Sequence, residues 1–501
     1  MLEYIPIGQA VQGLTSLFTL QNLALMFIGV TIGFAFGTLP GVSGMTAIAL
    51  MLPLIYGMEP TAALVLLLSC HSIAVTGGSI TAVLLGIPGD GPNAATVIDG
   101  FPMTRQGRGG RALGAALMAS LMGGVFGAVV LTLTIPLLLP VALAFKSPEL
   151  FLLIILGILC IITVSSGSLM KGLISGILGL VISSMGYQER SAMLRFSFDW
   201  FYLYDGVKLV PLSLGLFAMP VIFDLAAKGA AIAETEEYLI EGSQVKEGVK
   251  DVFRHFWLFI RSSAIGTWMG ILPGVGGTVA AFVAYGHAKE TSKNRATFGQ
   301  GAVEGVIAPE AANNAKEGGA LLPTLILGLP GSGAMAILLG AFIMVGLQPG
   351  PLFPVQHMDI VFALIWTLVL ANIIAGVAGL FLAGKLAKVA FLPGYILLPF
   401  LLCLVIFGAY SIENMFMDVI AVMVFGALGY GMEAFGYNRP ALLLGFILGA
   451  LSEKYFFLSL AAHGPLFFLK SPISVALIIL ILLVLFSDQL RSLYNKMRGK
   501  P

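Results

Sequence analysis

Charge is what this sequence has least of. Only 10% of its 501 residues are Asp, Glu, Lys or Arg, against 58% that are hydrophobic. A soluble globular domain carries about 25% charged residues, so a soluble fold is excluded. The net charge of +1 gives no reason to expect a nucleic-acid partner. Cysteine is scarce too. Cys70, Cys160 and Cys403 lie singly in apolar runs, with no CxxC and no metal-ligand spacing. They read as small buried hydrophobes, and no metal or cofactor is expected. The first 20 residues hold no Lys or Arg. Without a basic n-region, no cleavable signal peptide is expected.

What is present is apolar sequence in long runs, often broken by Gly or Pro. Runs of about 20 residues span a bilayer, and the chain reads as an all-α polytopic membrane protein with about 11–14 membrane segments. Its 62 glycines suit close helix–helix approach.

One stretch occurs twice. Residues 37–47 read GTLPGVSGMTA and residues 270–280 read GILPGVGGTVA, an offset of 233. Both sit where a helix would otherwise continue. Proline removes a backbone donor and clashes with the preceding turn, and glycine releases the chain from helical geometry. Each copy is therefore a break in a membrane helix, exposing backbone groups that lipid cannot satisfy. A second motif follows in each half: GIPGDG at 86–91 and GLPGSG at 328–333, an offset of 242. Two ordered matches at nearly one offset point to a duplicated fold.

Flanking charge gives the expected orientation. The first LPG segment is bordered by 1–13 and 57–60, without Lys or Arg, whereas the second is bordered by Lys246, Lys250 and Arg254 and by Lys289, Lys293 and Arg295. Arg105, Arg108 and Arg111 follow the first GIPGDG, while the stretch at 344–357 after GLPGSG has no Lys or Arg. The bias flips, so the expectation is two inverted-topology repeats with broken or re-entrant helices. The first repeat would cover 1–226 with an outward-opening hairpin at 14–57, and a cytoplasmic linker 227–252. The second would cover 253–457, with a cytoplasm-opening hairpin at 255–286. A last span and basic tail, 458–501, would put the C-terminus in the cytoplasm.

Inverted repeats with discontinuous helices mark the central site of secondary transporters: helix N-termini suit a carboxylate, and unwound carbonyls suit a cation. The candidate substrate-binding residues are Pro40, Gly41, Ser43, Gly44, Thr46, Ser79, Pro88 and Gly89 in the first half. In the second they are Pro273, Gly274, Gly276, Gly277, Asn313, Asn314, Pro330, Gly331 and Ser332. Asp90, Thr278, Asn313 and Asn314 are the candidates for cation binding or coupling. Each has a plainer reading. A Ser or Thr in a membrane helix often bonds its own backbone, Asn313 and Asn314 could cap a helix, and Asp90 could cap its loop. Asp99 is expected to pair with the arginines, Glu310 to be interfacial, and His71 to be a satisfied buried histidine. No basic residue is expected in the apolar heart of a broken helix, so dipoles and amides would hold an anion, with a cation co-bound.

These residues lie in strings that resemble the large membrane subunit of the tripartite tricarboxylate transporter family. The strings are LPGVSG (39–44), GGSITAVLLGIPG (77–89), DGFPMTRQGRGGRALG (99–114), LPGVGG (272–277) and FGQGAVEGVIAPEAANNA (298–315), and then GGALLPTLILGLPGSGAMAILLGAFIMVGLQPGP (318–351). Asp90 and Asn93 stand where that family more often has small residues. The resemblance implies a non-enzymatic permease in a bacterial inner membrane, a small membrane subunit, and a periplasmic solute-binding protein that delivers citrate or another small carboxylate. It also implies uptake driven by Na+ or H+ rather than ATP, in line with the lack of a GxxxxGK(S/T) phosphate loop. A carrier without a soluble partner, an ion channel and an intramembrane hydrolase are the alternatives. The hydrolase would need two facing aspartates, and the repeat offers Ser332 opposite Asp90. The oligomeric state is open, and a homo-oligomer is compatible with the sequence.

Overall fold

The computed structural model describes residues 7–39, 42–165, 168–188, 193–228, 241–386, 388–389 and 394–486. Pro40 and Gly41, linker residues 229–240 and the tail from 487 lie outside the described residues. The chain is helical almost throughout. In order come α1 (Ile7–Leu17), α2 (Leu20–Gly37), α3 (Gly44–Met51), α4 (Pro60–Leu85), α5 (Asn93–Arg105), α6 (Gly109–Leu143), α7 (Ser147–Ser165), α8 (Leu169–Ser183), α9 (Leu209–Ser213) and α10 (Met219–Lys228). The rest are α11 (Gly242–Arg254), α12 (Phe256–Ile271), α13 (Gly276–Thr291), α14 (Glu304–Leu327), α15 (Gly333–Met344), α16 (Phe353–Gln356), α17 (Met358–Leu386), α18 (Gly394–Tyr410), α19 (Phe416–Ala434), α20 (Arg439–His463) and α21 (Pro472–Leu485). Among the described residues, seven helices are long and apolar enough to cross a membrane, and shorter apolar helices lie between them. The protein is an all-α polytopic membrane protein.

The chain forms two compact units, Met1–Leu138 with Leu209–Gly431, and Leu139–Lys208 with Met432–Pro501. In the second, α7, α8, α20 and α21 pack together, Glu149 accepts a hydrogen bond from Ser474 Oγ at 2.7 Å, and Arg195 pairs with Glu453 at 2.8 Å. A two-stranded hairpin, β1 (Gly186–Tyr187) with β2 (Leu194–Arg195), belongs to the same unit.

The larger unit is organised around α4, which is apolar on every side and buried on every side. Lipid tails are as apolar as leucine, so burial of apolar side chains does little to drive such helices together. Close backbone approach and van der Waals contact must do it. On α2, Gly29, Gly33 and Gly37 recur every four residues and so line one stripe. A Cβ on Gly33 would collide with the Cys70 carbonyl of α4 at 2.5 Å, and one on Gly37 with the Ala74 carbonyl. The second half repeats this: a Cβ on Gly266 of α12 would meet the Ala312 carbonyl of α14, and one on Gly270 the Lys316 carbonyl. Gly33 and Gly37 map onto Gly266 and Gly270 at the offset of 233, while Cys70 and Ala74 map onto Ala312 and Lys316 at 242. The two offsets found in the motifs are thus reproduced contact by contact in the packing.

One expectation needs correction here. Asp99 does not pair with arginine. Its Oδ1 accepts from the backbone N–H groups of Gly299, Gly301 and Ala302 at 2.8–2.9 Å, and its Oδ2 from Tyr285 Oη at 2.9 Å. The arginine nearby, Arg111, instead meets Asp251 of α11 at 2.5 Å, so part of the expected linker is a helix docked on α6. Asp99 ties α5 to the loop entering α14. Hydrogen bonds to a charged acceptor contribute about 1.5–3 kcal/mol each. Asp99→Ala should therefore lower the melting temperature in detergent by several degrees, and Tyr285→Phe by less. An unchanged melting temperature for Asp99→Ala would mean that the loop is held by something else.

Candidate functional site

Four helix ends are made by the two motif pairs. α4 and α14 both stop at a glycine in the left-handed region, Gly86 and Gly328, each at φ +68°. Only glycine takes that conformation without strain, and the following prolines, Pro88 and Pro330, prevent the helix from resuming. Gly89 then packs against the Gly37 carbonyl and Gly331 against the Gly270 carbonyl, the latter with a Cβ distance of 2.6 Å. In both halves the second break is therefore wedged against the first.

The helices that restart after the breaks differ in how their N-termini are satisfied. α3 is closed on itself: Ser43 Oγ accepts from Thr46 N at 3.3 Å, and Asp90 Oδ2 accepts from Gly44 N at 3.0 Å. α15 is closed by Ser332 Oγ, which accepts from Met335 N at 3.3 Å. Among the described residues α5 and α13 have no side-chain cap, although Asp90 Oδ1 accepts from Gly91 N at 2.7 Å just ahead of α5. These two are the ones that meet. A Cβ on Gly91, just before α5, would lie 2.7 Å from Thr278 Oγ1 in the first turn of α13. A Cβ on Gly277 would lie 2.8 Å from Asn313 Oδ1, 2.9 Å from Pro92 Cγ and 3.3 Å from Lys316 Cε. Gly91 and Thr278 are exposed, while Pro92, Gly277, Asn313 and Lys316 are buried. The arrangement is an open rim over a buried floor.

The floor carries unusual chemistry. Asn313 is 1% exposed, and among the described residues neither its amide oxygen nor its amide nitrogen has a hydrogen-bond partner. Leaving a buried polar group unpaired costs about 1–3 kcal/mol, so such a group calls for a reason. One turn on, Lys316 is 3% exposed, with Nζ 2.5 Å from Glu317 Oε1. Glu317 is buried as well, and the same oxygen lies 3.2 Å from His71 Nε2 on α4. A Cβ on Gly44 would sit 3.1 Å from His71 Nδ1 and 3.3 Å from Asp90 Oδ2. Ammonium, carboxylate and imidazole therefore run in a line from the uncapped N-termini across to the Asp90-capped end of α3.

The structure sorts the residues chosen from sequence. Gly44, Asp90, Gly277, Thr278 and Asn313 come together around this line. Pro273, Gly274 and Gly276 form the turn that enters α13. Ser43 and Ser332 cap helices, and Thr46 Oγ1 donates to the Phe217 carbonyl at 3.3 Å. Ser79 donates to the Thr76 carbonyl at 2.7 Å within its own helix. Pro88, Gly89, Pro330 and Gly331 shape the breaks. Asn314 is committed elsewhere, with Nδ2 donating to Thr76 Oγ1 at 2.8 Å and Asn372 Oδ1 at 3.0 Å, tying α4, α14 and α17 together. Neither asparagine caps a helix, since both lie in the middle of α14.

Three more expectations are revised. A basic residue does lie in a broken helix: Lys316 is well inside α14. His71 is buried but only partly satisfied: Nε2 faces the Glu317 carboxylate, while Nδ1 has no hydrogen-bond partner among the described residues. Glu310 is not interfacial. It is fully buried and accepts hydrogen bonds from Thr96 Oγ1 at 2.6 Å, Ser120 Oγ at 2.8 Å and Asn93 Nδ2 at 3.3 Å. Among the described residues, no cluster of three His, Cys, Asp or Glu could hold a metal ion.

The signal for Lys316 was in the repeat. The offset of 242 lays α14 over the fully buried α4 and places Lys316 opposite Ala74. A hydropathy reading hid this, since Glu310, Lys316 and Glu317 make the stretch look like a polar loop.

Comparison with known proteins agrees with this architecture. Residues 23–444 match the model of the tripartite tricarboxylate transporter TctA family. An uncharacterized 52.8 kDa protein in the TAR-I ttuC' 3' region of Agrobacterium vitis is 33% identical over 479 residues, covering 93% of each chain. An uncharacterized protein in the TAR-II ttuC' 3' region of the same organism is 36% identical over 233 residues, covering 46% of this chain and 96% of its own. No solved structure matches.

Proposed function

The chain belongs to the tripartite tricarboxylate transporter TctA family, and from that premise we propose that it is the permease subunit of a secondary transporter that imports tricarboxylates or related small carboxylates. A periplasmic solute-binding protein delivers the substrate, a small membrane subunit completes the complex in a bacterial inner membrane, and symport of Na+ or H+ supplies the energy. The C-terminus lies in the cytoplasm. One observation carries this reading: two uncapped helix N-termini, α5 and α13, converge over a buried ammonium and an unpaired buried amide. Helix N-termini present N–H groups and the positive end of the helix dipole, and these favour an anion. The first N–H groups of α5 already donate to the carbonyls of Asp90, Gly91 and Pro92, so α5 contributes its dipole and α13 the N–H groups. Lys316 adds a full charge, and Asn313 Nδ2 adds a neutral donor. A carboxylate placed among them is recognised by charge and by directed hydrogen bonds, the stronger class of such bonds.

The opposite charge bias around the two LPG segments supports an inverted orientation of the two repeats. In that arrangement α2 with α4, and α12 with α14, act as glycine-locked pairs. The site between them opens first to one side and then to the other.

The test is uptake of labelled carboxylates into proteoliposomes holding the complete complex, with and without the binding protein, under an imposed Na+ or H+ gradient. Gradient-dependent accumulation is expected, and accumulation without any gradient would contradict symport. Asn313→Ala should lower uptake about 10- to 100-fold, the loss of one hydrogen bond to a charged group, with membrane insertion unchanged. Wild-type rates in that variant would move the site away from the breaks.

A further inference from the structure

The geometry points to the coupling ion being a proton, carried by Glu317 and delivered to it by His71, with Lys316 as the switch that links protonation to substrate. This rests on the carboxylate-permease reading above and specifies its coupling.

Lys316 Nζ is shared between two prospective anions. On one side it sits 2.5 Å from Glu317 Oε1. On the other its chain lies beneath Gly277, under the uncapped N-termini that would receive a substrate carboxylate. A buried ammonium next to a buried carboxylate is a compensated pair, whereas a buried carboxylate left alone is strongly disfavoured in its charged form. A substrate carboxylate that draws Lys316 toward the rim removes the compensation from Glu317. The carboxylate then needs a positive charge or a proton.

His71 stands where that proton would come from. Its Nε2 is 3.2 Å from Glu317 Oε1, and it bridges the halves, since His71 lies on α4 and Glu317 on α14. Its Nδ1 is also without a hydrogen-bond partner and faces the Gly44 turn, which Asp90 caps from the other side. The transfer balances as follows. A proton from the aqueous side binds His71 Nδ1. The imidazolium Nε2–H bond breaks as an O–H bond forms on Glu317 Oε1, leaving neutral imidazole and neutral carboxyl. Lys316 keeps its charge and pairs with the substrate. On release the ammonium returns, the carboxyl O–H breaks as a water on the side then open takes the proton, and His71 regains its Nε2–H tautomer by exchanging its ring proton with water. One proton crosses with each substrate.

A sodium ion suits this spot poorly. Hard cations take oxygen ligands, and the side chains paired with Glu317 present nitrogens, His71 Nε2 and Lys316 Nζ. The other charged groups on the elements packed here are Asp90, which caps α3, and Glu310, which is held by Asn93, Thr96 and Ser120.

The experiment uses labelled citrate and the complete complex with its binding protein in proteoliposomes, in sodium-free buffer at a pH where citrate is fully ionised. Wild-type protein should accumulate citrate under an inside-alkaline pH gradient, and an imposed sodium gradient at equal pH should add nothing. Glu317→Gln should lose accumulation at least about tenfold while keeping citrate counterflow, at a rate that no longer varies with pH. His71→Gln leaves the Lys316–Glu317 pair in place, so it reports on the relay even if Glu317→Gln fails to fold; its pH-driven accumulation should fall while counterflow persists. Purified wild-type protein in weak buffer should take up one proton per citrate bound. Counterflow combined with sodium-driven, pH-indifferent accumulation would overturn this inference alone. Absence of counterflow in the wild type would overturn the permease reading and this inference with it.

Discussion

Lys316→Met is expected to reduce carboxylate uptake by at least about 100-fold, the largest functional effect of any single substitution at the site. Breaking a buried ion pair by removing one partner costs about 3–5 kcal/mol, and about 1.4 kcal/mol is a factor of ten in an equilibrium constant. In the free protein that cost falls on Glu317, which would keep only His71 as a partner. In the loaded protein it falls on the substrate, which would face the uncapped ends of α5 and α13 without a cation. The two costs are separable. The double variant Lys316→Met with Glu317→Gln removes both charges, so it should restore thermal stability in detergent without restoring uptake. Lys316→Arg keeps the charge, but Gly277 lies too close above the side chain for a guanidinium fork to fit, so uptake should recover only partly. Near-wild-type uptake in Lys316→Met would remove the ammonium from the substrate site.

Gly270→Leu should prevent folding altogether. A Cβ there would run into the Lys316 carbonyl and lie 2.9 Å from the Ala320 nitrogen, both of them backbone atoms that no rotamer change can move. Overpacking in a well-packed core costs about 1–3 kcal/mol when side chains can give way, and more when they cannot. The collision also forces α12 away from α14, which opens the floor under Asn313 and Lys316. Gly37→Leu should do the same in the first half, against Ala74. Gly286→Leu is the matching control, since nothing lies within 4 Å of its Cβ position. The readout is the yield of monodisperse protein in detergent: lost in the first two variants and retained in the third. Normal yield from Gly270→Leu would mean that the helix pair is not locked by backbone contact.

Much of this protein could be read from its residues, and the part that could not is instructive. Pro-Gly breaks inside apolar runs announce themselves, because few sequences interrupt a membrane helix without a use for the freed backbone. The paired offsets of 233 and 242 were visible as letters before they were visible as Gly33 and Gly37 of α2 packed against α4, and Gly266 and Gly270 of α12 packed against α14. The four-residue glycine spacing on α2 and α12 was equally available, and it marks the faces that approach.

The buried charges were harder to place. Composition treats Glu310, Lys316 and Glu317 as signs of water, because a charge in an apolar medium is costly. It cannot see that His71, 246 positions from Glu317 in sequence, sits against that carboxylate, or that Thr96 and Ser120 reach Glu310. Those compensations are tertiary. The asymmetry at the helix N-termini was half legible. Ser43 and Ser332 precede their helices as good caps should. That α5 and α13, lacking such caps, meet one another follows only from how the two halves pack.

The measurement that bears most directly on the site is substrate protection of the rim. Thr278→Cys, in a chain whose three native cysteines are replaced by alanine, puts a thiol on the exposed first turn of α13. Its rate of reaction with a soluble maleimide is followed as carboxylate is added. If substrate binds between Gly91, Thr278 and Asn313, labelling should slow about tenfold at ten times the half-saturating concentration for uptake, as mass action requires. The same thiol placed at Gly286 should be indifferent to substrate. Unchanged labelling at Thr278→Cys, under conditions that saturate uptake, would contradict a substrate site at the meeting of the two uncapped helices.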